Sequence, residues 1–365
     1  MACIDLAHWI GWLRDQSLPL WAEAGYDPAS GSFVESLGMD GAPQQAVPRR
    51  VMVQARQIHA FATAAENGWC PAGAEMVLRA GDAMIAHYAL SDGNDGWAFS
   101  CNQHGGIVDD RRDLYAQAFV LLALAALIRF DPQPRYVALV TRTLGFLDRA
   151  MAHPSGGYAE NWPSPILPRR QNPHMHLLEA LLALQETGHC GDLGPRITAL
   201  ITLFDQRFFS PADSVLTEFY DTDLAPKNPE RRFEPGHHFE WDWLMVRATA
   251  LIDLPTDASA RRLLHSGLRG IDHNGHVAKE MGPDGPTSLS RRLWCSMEAV
   301  KALSLPSGQI DQPQGVAKVL TAAWQDFIAP ALPGGWLDLV DNGGSPLVDA
   351  IPARSLYHIC TALHF

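Results

Sequence analysis

DLYAQAFVLLALAALIRF, residues 113–130, decides the fold. From Phe119 to Ile128 the side chains are apolar nearly all round a helix, leaving no polar stripe for solvent. A helix of that kind needs cover on every side, which suits an inner ring of helices wrapped by an outer one. Further long helical patterns are VMVQARQIHAFATAAENG (51–68), NPHMHLLEALLALQETG (172–188) and WCSMEAVKALSL (294–305).

A weak internal repeat runs between these patterns. A small residue or glycine pair followed by an aromatic or apolar residue ends at Phe33, Trp97, Tyr158, Leu216, Val277 and Trp336. The separations are 64, 61, 58, 61 and 59 residues, and several marks lead into short alternating stretches such as FVES, WAFS, YAEN and LTEF. Six units of about sixty residues, each with room for two helices and a turn, predict an all-α (α/α)6 barrel. Short β-hairpins would sit in its loops. No linker divides the chain, so residues 1–365 are expected to form one catalytic domain.

The bulk numbers exclude several classes. A net charge of −12 argues against nucleic acid or an anionic membrane as the main partner, since both need a basic footprint. Six cysteines lie far apart with no CxxC pair, which is neither a zinc framework nor a disulfide scaffold. MACIDLAHWIGWLRD lacks a basic region before its apolar stretch and reads as an amphipathic helix rather than a signal peptide. With no apolar run of spanning length, a reducing cytoplasm is the expected compartment. GxGxxG, Walker and GxSxG motifs are absent.

Chemistry-bearing residues fall in four places. In QNPHMHLLEALLALQETG, Asn172 is a good N-cap, Pro173 suits the first turn and Gly188 ends the helix. His174 and His176 are two residues apart, about 200° round a helix, so they point to opposite sides and do not chelate one metal together. In RRFEPGHHFEWDWLM (231–245), His237 and Glu240 are neighbours at i, i+3, and a carboxylate beside an imidazole suits a general acid or base. His238 points about 100° away and reads as structural. Phe239, Trp243, Val246 and Ala250 are the expected packing stripe of that helix. His358 lies on a short C-terminal helical pattern, and Arg56 sits inside an apolar run where it needs a buried acid or a polar ligand. Eleven tryptophans offer rings that could line a sugar cavity.

Taken in order, VQARQIHAF, GWAFS with DDRRDLYAQAFVLLALA, RRQNPHMHLLEA, EPGHHFEWDWLM, RRLWCSMEAVKA, and GGW with PARSLYH resemble the N-acylglucosamine 2-epimerase family. The resemblance spans nearly the whole chain and is strongest to its mannose-isomerase branch. It implies the (α/α)6 barrel and a catalytic histidine pair, His237 and His358, with Glu240 as the partner of His237. It also implies sugar contacts from Arg56, Tyr115, Asn172 and His176, with Trp294 and Glu298 near the cavity. The implied reaction is metal- and cofactor-free proton transfer from C2 of an open-chain sugar through a cis-enediolate. His358 would be the carbon base, His237 would assist ring opening, and Arg56 and His176 would hold the enediolate oxygens.

The expected activity is therefore interconversion of D-mannose and D-fructose, extending to D-lyxose and D-xylulose. A 2-epimerase acting on mannose and glucose, on N-acylglucosamine or on cellobiose is the alternative. An α/α-toroid glycoside hydrolase would need a carboxylate pair, with Asp109, Asp110, Asp113 and Glu160 as candidates. A non-catalytic sugar-binding toroid would not need two histidines. Paired arginines recur (111–112, 169–170, 231–232, 291–292) without a phosphate-cradling glycine loop, so a neutral monosaccharide is the expected substrate. A monomer or homodimer is the expected state.

Overall fold

The computed structural model describes residues 4–253, 258–305 and 312–364. Six helices form the inner ring: Val51–Glu66, Leu114–Phe130, Asn172–Thr187, Pro235–Ile252, Leu293–Ser304 and Leu356–Leu363. Each packs on the next, and the last packs back on the first, so the ring closes. Outside it lie Leu6–Trp12, Gly73–Tyr88, Pro134–Phe146, Gly194–Leu203, Ala258–Leu268 and Gln312–Ala323. This is the (α/α)6 toroid that the repeat predicts.

Residues 119–128 are all buried, as their apolar surround requires. Among the outer helices Leu6–Trp12 buries Trp9 and Trp12, as an amphipathic helix should; residues 1–3, Cys3 included, lie outside the described residues. No described helix is long and apolar enough to cross a membrane.

The six sequence marks are hairpin positions. Phe33, Trp97, Tyr158, Leu216 and Val277 each pair antiparallel with a residue just past the preceding outer helix: Tyr26, Ala89, Ala152, Phe209 and Ile271. At the sixth mark Leu337, beside Trp336, donates its N–H to the Phe327 carbonyl instead. Two residues past a mark, the chain reaches the start of the previous unit's inner helix. Thus the carbonyls of Phe99, Glu160, Glu218 and Asp338 accept from the N–H groups of Val51, Leu114, Gln171 and Leu293. The Glu35 carbonyl accepts from Ala353, which closes the cycle, and Ser36–Gly38 pairs with Ala350–Pro352 along the same seam. Neighbouring units therefore supply partners for the orphan donors of these helix starts.

Two local expectations need correction. The helix at 172 is capped by Gln171, whose carbonyl accepts from His174 and Met175, so Asn172 is its first residue and not its N-cap. Its other end is as expected, with Gly188 left-handed at φ 71°. In Pro235–Ile252 the stripe is not Phe239, Trp243, Val246 and Ala250: Val246 is 41% exposed and Ala250 is exposed. Phe239, Trp241, Leu244, Met245 and Ala248 are the buried positions, because both neighbouring inner helices and the outer helices flank this one.

Candidate active site

All six inner helices start at one end of the ring, and their first turns surround a cavity of about 210 Å³. That is below the ~300–1,000 Å³ typical of drug-sized ligand sites, so it suits a small molecule. Arg56, Tyr115, Asn172, His176, His237, Glu240, Trp294 and His358 all line it. Of the nine residues expected at the site only Glu298 does not, and it lies directly behind His358. Met52, Glu234, Arg292, Arg354 and Ser355 complete the lining.

His237 is held by a residue that sequence reasoning did not choose. Its Nδ1 lies 3.0 Å from both Glu218 oxygens, and Glu234 is 3.9 Å away. Burial opposes charging the ring, but Glu218, with Glu234 beside it, overcomes burial and raises its pKa to about 10. His237 is an imidazolium at neutral pH. Its Nε2 then carries hydrogen, and 3.1 Å away stands the Asn172 amide, whose Oδ1 has no partner in the assigned orientation. Turning that amide over gives Nε2–H an acceptor, and O and N of an amide are a choice of assignment. His238, on the same helix, accepts at Nε2 from the Leu216 N–H and stacks on Phe233, so it is structural.

Glu240 is not the partner of His237. It points inward to a buried cluster, 3.7 Å from His176 Nδ1, with Oε1 making no hydrogen bond. Burial, and then the nearby Glu298, push its carboxyl well above the ordinary range, which favours its protonated form. An i, i+3 neighbour shares a helix face but need not reach across it. Here the ring's centre draws Glu240 down while a loop carboxylate takes the imidazole.

His358 has the opposite character. Its Nδ1 lies 2.7 Å from Glu298 Oε1, and Glu298 Oε2 is 2.7 Å from Lys301 Nζ, which is fully buried over the Trp243 ring. Burial raises the Glu298 pKa while the Lys301 ammonium opposes it, and the 2.7 Å contacts to Lys301 Nζ and His358 Nδ1 suit a carboxylate that accepts from Nδ1–H. Burial, together with Arg56, Lys301 and His176, lowers the His358 pKa well below the ordinary histidine value. Its Nε2 thus carries a lone pair. His176 is arranged alike: Nδ1 is 3.0 Å from Glu179, itself bonded by the Tyr357 hydroxyl, and burial brings its pKa to about 4.

Arg56 has no carboxylate partner among the described residues. Its guanidinium lies 4.1 Å from the Phe119 ring centre and Nη2 donates to the Tyr115 hydroxyl at 2.5 Å, leaving Nε unpaired. Of the two outcomes open to a buried arginine, this one awaits a polar ligand. Trp294 sits between the histidines, its ring centre 5.0 Å from His237 and 5.7 Å from His358. It approaches so closely over Gly236 that a Cβ there would stand 2.4 Å from the indole. Gly236 is needed for space.

The hydrolase candidates lie elsewhere. Asp113 caps a helix through Ala116 N–H, Glu160 is paired with Arg170, and Asp109 pairs with Arg111. None of these, nor Asp110, lines the cavity. Among the described residues, His176–Glu179–Glu240 and Glu240–Glu298–His358 bring possible metal-ligand atoms within 4.8 Å of one another. The Lys301 ammonium already supplies positive charge there, so the cluster fits a metal ion poorly.

Glu218, Glu234 and Lys301 escaped the sequence reading. The first had a signal: an acid two residues past a mark occurs at Glu35, Glu160, Glu218 and Asp338, and each holds a side chain at the start of an inner helix.

The chain matches the family model for N-acylglucosamine 2-epimerase over residues 31–362. It is 33% identical to a mannose-6-phosphate isomerase of Rhizobium meliloti (strain 1021), over 97% of this chain and 94% of that protein. In fold it is similar to the cellobiose 2-epimerase of Bacillus thermoamylovorans B4167, with TM-score 0.88 and 19% identity over 99% and 98% of the two chains. A D-mannose isomerase structure gives TM-score 0.87 and 18% identity over 100% and 98%. The match of nearly the whole chain places this protein in the N-acylglucosamine 2-epimerase family, as an enzyme of the isomerase–epimerase class.

Proposed function

We propose that the enzyme is an aldose–ketose isomerase that interconverts D-mannose and D-fructose frameworks, D-lyxose and D-xylulose included, through a cis-enediolate. The observation that carries this reading is the opposite setting of the two cavity histidines, His237 between the carboxylates of Glu218 and Glu234 and His358 against a Glu298 already paired with Lys301. His358, neutral and with Nε2 free, takes the C2 proton and returns it to C1 on the same face. His237, an imidazolium up to about pH 10, delivers a proton at oxygen to open the ring and to support the developing alkoxide. Arg56 and His176 hold the enediolate oxygens, Tyr115 orients Arg56, and Trp294 packs against the sugar between the histidines. Lys301, Glu298 and Glu179 fix the imidazoles, so no step requires a metal.

An epimerase must return the proton to C2 from the other face, which needs a second carbon base. A ring held protonated by Glu218 is poorly suited to that role. Relatives named for mannose and mannose 6-phosphate support the same substrate configuration. The test is the early product from mannose and from mannose 6-phosphate in deuterated water. Ketose carrying solvent deuterium at C1, or proton transferred internally from C2, is expected first. Early C2-deuterated glucose, free or phosphorylated, with little ketose would reject the isomerase and make His237 a carbon base.

A further inference from the structure

Compared position by position, the place two residues past the mark is an acid in four of the six units, Phe99 in the second and a cation, Lys279, in the fifth. Two residues past its mark, unit one has Glu35, which bonds the backbone N–H and Nε of Arg50 at 3.1 and 2.5 Å. In unit three, Glu160 does the same to Arg170, at 2.6 and 2.7 Å. In unit six, Asp338 accepts from Arg354 and Ser355. Each arginine before an inner helix is thereby neutralised by its own unit's acid. The unit that leads to Arg292 has Lys279 at this place.

Arg292 lines the cavity, and among the described residues neither it nor Lys279 makes an ion pair or side-chain hydrogen bond. The Arg292 Nε is buried without a partner, although the side chain as a whole is half-buried. Both cations act on Glu234, the carboxylate at this side of the cavity, and His237 acts on it as well. Arg292 therefore brings to this side of the cavity a guanidinium that no described carboxylate pairs with. Depth sets which part of a ligand meets it. His176, Glu240 and His358 are almost fully buried at the floor, while Glu234, Arg292 and Arg354 form a more exposed rim. Carbons C1 and C2 belong beside the histidines at the floor, which brings the far end of the sugar to the rim.

We infer that Lys279 and Arg292 form a subsite for an anionic group, a phosphate or similar oxyanion, on the end of the sugar remote from C1. The inference rests on the isomerase reading for its substrate frame and replaces the neutral sugar expected from sequence. An arginine fork and a neighbouring ammonium suit the several acceptor oxygens of such a group.

The test compares kcat/KM for mannose 6-phosphate and free mannose in the full-length enzyme, the Arg292→Gln variant and the Lys279→Glu variant, with mannuronate as a planar-anion control. Lys279→Glu places here the acid that four of the other units carry and should neutralise Arg292 by pairing with it, as Glu35 and Glu160 do with Arg50 and Arg170. Wild type is expected to favour the phosphorylated sugar by at least 10²-fold over free mannose, and each variant should lower that ratio at least tenfold. Mannuronate should gain less than the phosphate ester. Inorganic phosphate should compete with free mannose in wild type and lose this in both variants. Equal use of both sugars by wild type, or a ratio unchanged in well-folded variants, overturns the subsite. If neither sugar is turned over, the isomerase reading fails by itself, and calorimetric binding of inorganic phosphate to wild type but not to Lys279→Glu still decides the subsite.

Discussion

Both carboxylate oxygens of Glu218 lie 3.0 Å from Nδ1 of His237, and this contact, rather than the neighbouring Glu240, sets the charge of the cavity's acid. Glu218→Gln keeps the shape but removes the charge that overcomes burial. The folded His237 pKa of about 10 should then fall towards or below the ordinary 6.5. In the proposed mechanism the protonated ring is the working form, so activity should be lost as pH rises through that pKa. The alkaline limb of kcat/KM in wild type should sit near pH 10 and move down by more than one pH unit in Glu218→Gln. An unmoved limb would place the working acid elsewhere.

Removing either histidine should be costly for rate and mild for folding. His237→Ala and His358→Ala should each lower kcat by roughly 10² or more, the usual scale for a lost acid or base. His238→Ala loses the acceptor for Leu216 N–H and its stack on Phe233, so it should lower Tm while sparing much of kcat. Thermal melts run beside single-substrate kinetics separate the two patterns.

Glu240 and Glu298 should respond differently to the same change. Burial favours the protonated form of Glu240, so Glu240→Gln keeps that charge state and should stay within about tenfold of wild-type kcat. Glu298 accepts from His358 as a carboxylate, and Glu298→Gln should cost about 10² in kcat. Equal losses in the two variants would contradict the protonation assigned here.

Lys301 is fully buried against Glu298, with Glu240 and Glu179 also acting on it. Lys301→Met leaves a buried carboxylate without its cation and should destabilise the fold by about 3–5 kcal/mol. Chemical denaturation measures this directly. A variant as stable as wild type would mean that Glu298 simply takes up a proton.

Exhaustive dialysis of the wild-type enzyme against a chelator should leave turnover intact. Activity lost and then restored by zinc or manganese would show that one of the two buried ligand clusters outcompetes Lys301 for its role.

The fold was legible because it is periodic. The all-round apolar stretch 119–128 and the six marks each report a constraint that recurs every sixty residues. Much of the site was legible through ordered motifs, since His237, His358, Arg56 and His176 sit in the first turns of inner helices. Glu218 was not, because a loop carboxylate nineteen positions away has no helical spacing to betray its partner. Glu240 misled for the converse reason: helix geometry placed it on the right face, but the depth of the ring decided which neighbour it met. Lys279 became informative only once the hairpins had aligned the units.

The seam where Ala353 N–H meets the Glu35 carbonyl joins opposite ends of the sequence, and the proposed carbon base His358 rides on the helix just beyond it. That helix meets Leu293–Ser304 through contacts as close in sequence as any in the ring, but its packing on Val51–Glu66 must await the closing of the circle. On the proposed mechanism, catalysis is coupled to completion of the ring: an assembly of five units would keep the helices that carry Arg56, His176 and His237, yet lack the proposed carbon base.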